Sequence, residues 1–231
     1  MKIDVSYFQK GNLDKTAGML TKNNFFNASV RVGVINVAVV VTMSVPTAVF
    51  AAAASNQPVW DSDDLKFHWI YTLTYNQLTF KADLAGWLDT KSGEAVWEMY
   101  ITSNATNPKL DKFLWYEGRS KLDNKSGWWL IYDSQKPSER RYLLRLDWSI
   151  KGTENILTFK NVTVGNEGEN DLLTYWVNAA EREITFWDNS TKQTLEIYWE
   201  LTKGTGYLIA PDYNSGQKAC WDESQNDVAC P

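Results

Sequence analysis

The sequence predicts an all-β fold behind an export segment. Three observations carry this: period-two alternation of apolar and polar residues in many short runs, turn residues between the runs, and a charge-free apolar stretch near the N-terminus. The leader comes first. Residues 1–31 hold five Lys or Arg against two Asp, and residues 32–54 hold no charge. Val32 to Ala54 reads VGVINVAVVVTMSVPTAVFAAAA, with Pro46 where a signal helix usually breaks and Ala51–Ala54 offering small-residue cleavage sites. Cleavage after Ala53 or Ala54 is expected, which makes 1–54 a signal segment and 55–231 a single domain. The alternative is an uncleaved anchor, because the apolar run is long enough to span a bilayer. Met19 offers a second start that gives a leader of more usual length. In every case the charge bias places 55–231 outside the cytoplasm, in the periplasm, on the cell surface or secreted.

The strands follow. In 94–102, Ala95, Trp97, Met99 and Ile101 share one face, while Glu98, Tyr100 and Thr102 share the other. In 142–150, Leu144, Leu146 and Trp148 oppose Arg145, Asp147 and Ser149; in 193–201, Leu195, Ile197 and Trp199 oppose Glu196, Tyr198 and Glu200. Similar runs occur near 67–75, 78–84, 113–117, 128–133, 155–164, 171–177 and 183–188. Short polar loops with Gly, Asn, Asp or Pro separate them, as in Asp123-Asn124-Lys125-Ser126-Gly127. About ten strands with hairpin-length connections give an antiparallel meander. A barrel-like closure is expected, with a β-sandwich as the alternative, because either form hides the sheet edges.

Cys220 and Cys230, an even pair in an exported chain, read as a disulfide that clamps the C-terminal tail. The ring is small, so its stabilisation is about 3 kcal/mol or less in the chain-entropy model. A redox role prefers closer CxxC spacing.

The blocks VWEMYIT (96–102), FLWYEGRSKLDNKSGWWLIYD (113–133), LLRLDW (143–148), ILTFKNVTVG (156–165) and CWDESQNDVACP (220–231) resemble a group of exported all-β proteins and lipoproteins of Bacteroidetes-type bacteria. The likeness covers roughly 94–165 and 220–231, a whole-domain pattern rather than a catalytic fingerprint. It implies export, an envelope or extracellular setting and an all-β fold, and it implies no activity. The chain departs from that pattern at 169–176 and 195–202, and it has no lipoprotein-type Cys near the cleavage zone.

Residues 55–231 carry 18 Lys or Arg against 26 Asp or Glu, a balance that argues against nucleic acid and against an anionic membrane surface as partner. A membrane contact is expected only if 32–54 stays uncleaved. His68 is the sole histidine, in a strand and facing solvent, and no GxSxG elbow accompanies it. One His and two paired Cys do not furnish a zinc site. Asp61-Ser62-Asp63-Asp64 and Asp222-Glu223…Asp227 have oxygen ligands suited to calcium but not the EF-hand spacing, so no metal and no cofactor is expected. Catalysis would have to draw on the carboxylates Glu98, Asp147, Glu196 and Glu200, since a glycosidase needs two carboxyls about 5–9.5 Å apart.

All 12 Trp lie in 55–231. Consecutive aromatics in a strand point to opposite faces, so one member of Trp115-Tyr116 and one of Trp128-Trp129 leaves the core. These four and Trp221, inside the disulfide loop, are the candidate ligand-binding residues, because an outward ring offers a stacking platform. The expected function is a non-catalytic exported module that binds a glycan or a surface protein through its aromatic side chains. The alternatives are a structural envelope component, and a glycoside hydrolase built on a carboxylate pair.

Overall fold

The computed structural model describes residues 3–9, 21–75 and 77–231; Met19 lies outside the described residues. Two helices come first, α1 (Ser6–Gln9) and α2 (Asn23–Ala54). The strands are β1 (Val59–Asp61), β2 (Lys66–Tyr75), β3 (Leu78–Asp89), β4 (Glu94–Ser103), β5 (Phe113–Lys121), β6 (Ser126–Tyr132) and β7 (Tyr142–Lys151), then β8 (Glu154–Asn161), β9 (Leu172–Val177), β10 (Glu181–Asp188), β11 (Gln193–Glu200), β12 (Thr205–Ile209), β13 (Ala219–Trp221) and β14 (Asp227–Val228). They form one 14-stranded antiparallel sheet in sequence order. The all-β meander therefore stands.

Barrel closure and the count of ten do not. The sheet is open, with β1 and β14 as its edges. The ten sequence runs correspond to β2–β11. The four further strands have two to five residues each, too few for alternation to register. Edge strands of three and two residues present little unpaired backbone, one way for an open sheet to avoid edge pairing.

The chain divides into two compact units: unit 1 is 1–41, 150–159 and 170–231, and unit 2 is 42–149 and 160–169. In each unit the N-terminal chain covers the apolar sheet face, so burial does not require the sheet to close on itself. In unit 1, Phe8 meets Trp199 edge-on at 5.0 Å and Phe25 meets Trp221 at 5.8 Å. Polar contacts fix the register. Tyr7 accepts from the Trp221 indole (3.0 Å) and donates to the Gly204 carbonyl (2.7 Å). The Asn24 amide donates to the Cys220 carbonyl at 2.8 Å, and Asn24 Oδ1 accepts from Tyr213 at 2.7 Å. Cys220 and Cys230 form the disulfide. In unit 2, Ala53 is buried with Ala82, Leu84, Met99, Tyr116 and Ile131, and Met43, Val49 and Phe50 of α2 pack on that cluster. The part of α2 from Asn23 to Ser44 is long and apolar enough to cross a membrane by length and composition.

On the buried face, tryptophan stands opposite glycine. Trp97 lies between Gly86 and Gly118, Gly118 also faces Trp129, and Gly127 faces Trp148. In unit 1, Gly206 lies between Trp199 and Trp221. The indoles lie over the space a side chain would fill. A Cβ on Gly86 would come to 2.8 Å from the Trp97 ring, and one on Gly118 to 2.6 Å from that of Trp129 and closer still to the Trp128 backbone carbonyl.

Gly118→Ala should therefore destabilise the protein by about 1–3 kcal/mol through overpacking, and Gly206→Ala likewise. Chemical denaturation of the two variants measures this; midpoints equal to wild type would show that the rings and the neighbouring strand both yield freely. Removal of residues 1–54 should open Trp199 and Trp221, now at most 1 % exposed, to acrylamide quenching. Quenching unchanged from the full chain would mean that the sheet buries them unaided.

Candidate functional site

The outer face of unit 2 is polar and aromatic, because the strand period that sends Leu84, Met99, Tyr116 and Ile131 inward sends their neighbours outward. There Glu98 of β4 stands directly opposite Glu117 of β5. Two like charges in cross-strand register repel unless they are compensated. Compensation comes from three sides: Lys66 Nζ lies 2.8 Å from Glu98, Tyr100 donates to Glu98 at 3.0 Å, and Tyr132 donates to Glu117 at 2.9 Å. Both tyrosines follow a register shift, at Met99/Tyr100 and at Ile131/Tyr132, and bulges of this kind re-aim side chains. Burial, followed by the hydrogen bond to Glu98 and its charge, pushes the Tyr100 hydroxyl far above the usual phenol range. Burial, then Tyr142 and Glu117, does the same for Tyr132. Both phenols stay protonated and act as donors.

These tyrosines wall a groove of about 520 Å³ that Lys109, Asp111, Lys112 and Arg140 also line. That volume falls within the range of small-ligand sites. Outside it, Tyr142 packs against Tyr132 with ring centroids 4.7 Å apart and is 41 % exposed. A flat ring beside a polar cleft suits a sugar ring, which has an apolar face and a hydroxylated edge.

The sequence-predicted aromatics divide. Trp128 faces outward but carries the Arg145 guanidinium 4.9 Å from its ring centre, as Trp87 carries Lys66 at 4.1 Å. Trp129 faces inward against Phe50 and Tyr116, and Trp115 packs against the two buried clusters of unit 2. Tyr116 is 3 % exposed and Trp221 is 1 % exposed; both are core, so neither presents a ring to a ligand, contrary to the sequence expectation. For Trp221 the reason is packing by Tyr7, Phe8 and Phe25, all within the segment read as a leader. Tyr100, Tyr132, Tyr142 and Glu117 went unselected. Their signal was present, polar and aromatic residues alternating outward, but nothing in the sequence reveals which strands pair. An open aromatic pair was also missed: Trp60 and Phe67, both exposed and 4.9 Å apart at the β1 edge.

The four carboxylates singled out do not come together in catalytic pairs within either unit. Glu98 and Asp147 lie three strands apart, about 14 Å at ordinary strand spacing. Asp147 is engaged by both Nε and Nη2 of Arg145, at 2.8 and 2.7 Å. Glu196 and Glu200 share β11, about 13 Å apart along the strand. Glu196 accepts from Tyr207, and Glu200 pairs with Lys203 at 2.9 Å.

His68 does not simply face solvent. Its Nδ1 lies 2.7 Å from Asp83 and its Nε2 3.1 Å from Asp64. Asp61, Asp64 and His68 bring ligand atoms within 4.8 Å of one another, a set that a divalent cation would accept. The same geometry is satisfied by a protonated imidazole bridging two carboxylates. Burial opposes that charge, but hydrogen bonds and attraction from Asp83 and then Asp64 outweigh it, raising the pKa above its ordinary 6.5.

The raised value fixes the sign of a pH effect. The stabilisation from His68 is fully present below about pH 6.5 and is lost as pH rises through the higher folded-state value. Unfolding midpoints of wild type and His68→Gln should therefore differ most in mild acid and converge in mild alkali. A gap that does not vary with pH would show that the imidazole is not protonated there. No family model, no curated protein and no solved structure matches the chain.

Proposed function

We propose that the protein is an exported, non-catalytic binding module that takes a glycan in the Tyr100–Tyr132 groove. One observation carries the reading. A groove of about 520 Å³ has a tyrosine wall continued outward by the exposed Tyr142 ring, and carboxylates hold the wall tyrosines in place. Ordered aromatic walls lower the cost of fixing a ligand. The apolar helix near the N-terminus and the disulfide are compatible with export.

A second reading keeps one specific support. Glu98 and Glu117 are directly opposed, and cross-strand Cβ separations of about 4.5–5.5 Å allow the carboxyl spacing of a retaining glycosidase, about 5–5.5 Å. Their contacts favour the binding reading, since Lys66 and the two tyrosines engage them as acceptors.

A panel of oligosaccharides titrated against the protein, followed by tryptophan fluorescence and by product analysis, separates these readings. Binding without turnover, weakened about tenfold or more by Tyr132→Ala, is expected. Affinity lost instead on Trp60→Ala would move the site to the sheet edge. Turnover abolished by Glu98→Gln would make the protein a hydrolase.

A further inference from the structure

The groove has a chemical bias that its tyrosines do not explain. Five of the six arginines lie within 4 Å of a carboxylate: Arg31 with Asp212, Arg119 with Asp89, Arg141 with Asp133, Arg145 with Asp147 and Arg182 with Asp4. Arg140 forms no ion pair among the described residues, although acidic residues outnumber basic ones along the chain. It lines the groove, as do Lys109 and Lys112, whose ammonium groups also form none; Asp111 is the one acid in the lining. Two other cations on this outer face are engaged: Lys66 by Glu98 and the Trp87 ring, Arg145 by Asp147 and the Trp128 ring.

Backbone geometry adds an independent observation. Lys112 and Arg140 both adopt left-handed conformations, each with φ 46°. Arg140 caps the short 3-10 turn Pro137–Glu139, a place that glycine or asparagine would take without strain. Lys112 precedes β5, where its N–H donates to Thr102. Non-glycine residues in this region cost free energy, and such residues cluster at ligand sites. Here the two strained positions put two cations on the lining of one groove.

We infer that the groove recognises a carboxylate-bearing saccharide, a uronic-acid unit of an acidic polysaccharide. The inference rests on the glycan-binding reading above. Arg140 supplies a planar fork that matches a carboxylate, and Lys109 and Lys112 supply point charges. Asp111 accepts from a sugar hydroxyl. The tyrosine protons are already donated to Glu98 and Glu117, so Tyr100 and Tyr132 contribute ring surface.

The test uses the full chain and four probes in calorimetric titration: oligogalacturonate, its fully methyl-esterified form, a neutral glucan oligosaccharide and a sulfated dextran. Oligogalacturonate should bind about tenfold or more tightly than its ester, and weaken as salt is raised. Lys112→Gly and Arg140→Gly relieve the backbone strain, so they should keep or raise the unfolding midpoint while losing the preference for the free acid. That pairing separates recognition from folding. Equal binding of acid and ester would overturn the carboxylate inference and leave the glycan reading standing. Binding of none of the four by a folded protein would remove both. Sulfated dextran held as tightly as oligogalacturonate would reduce the groove to a general anion trap. An acid preference unchanged in both glycine variants would place recognition elsewhere.

Discussion

The packing of tryptophan against glycine across neighbouring strands is the constraint on which both sheet units depend. An indole lies flat across the neighbouring strand only where the facing position is empty, since neighbouring strands are about 4.8 Å apart. Glycine at the facing position lets the ring lie down over the adjacent strand and fill the missing volume. Gly86–Trp97–Gly118–Trp129 forms such an alternation across four strands, and Trp199–Gly206–Trp221 forms another across three. The pattern also sets register. A slip of one residue would turn each ring to the opposite face and bring a side chain where only a hydrogen fits.

This arrangement concentrates apolar surface on one side and leaves the other to polar residues. The outer face consequently carries carboxylates in direct opposition, an unfavourable pairing that the sheet tolerates because tyrosine hydroxyls and Lys66 satisfy the oxygens. Those hydrogen bonds tie the Tyr100 and Tyr132 hydroxyls to the sheet, and both residues line the groove. The charge compensation on this face thus also positions two side chains of the groove wall. The large outward indoles are less open than their orientation suggests, since Lys66 and Arg145 lie over Trp87 and Trp128.

The N-terminal chain meets two demands with one composition. Small and apolar residues suit an export segment, and they also suit close packing on an aromatic sheet: Ala28, Val32 and Ala53 are fully buried, and Phe8 and Phe25 nearly so. Asn24 and Tyr7 add directional hydrogen bonds to Cys220, Tyr213, Trp221 and Gly204. While this segment is in place, the apolar face of each unit has a cover of its own.

Local patterns were legible in the sequence. Ten of the fourteen strands follow from period-two alternation, the turns from their Gly, Asn and Asp, and the disulfide from an even pair of cysteines. That Trp128 and Trp129 point to opposite faces follows from the pleat alone, whereas which of them faces inward does not. Strands of two to five residues were not legible, because so few residues carry no period. Openness was hidden as well: alternation shows that a face is apolar and does not show what covers it, and here the cover comes from residues read as a leader. The groove was the least visible part. It exists because β4 pairs with β5 and β5 with β6, because two register shifts turn Tyr100 and Tyr132 to one side, and because loops distant in sequence bring Lys112 and Arg140 to the same opening. Sequence alone determined which residues of a regular strand share a face, since that alternation depends only on neighbours along the chain. Tertiary structure alone decided which strands share a row and what lies over them, because those depend on contacts between residues far apart in the chain.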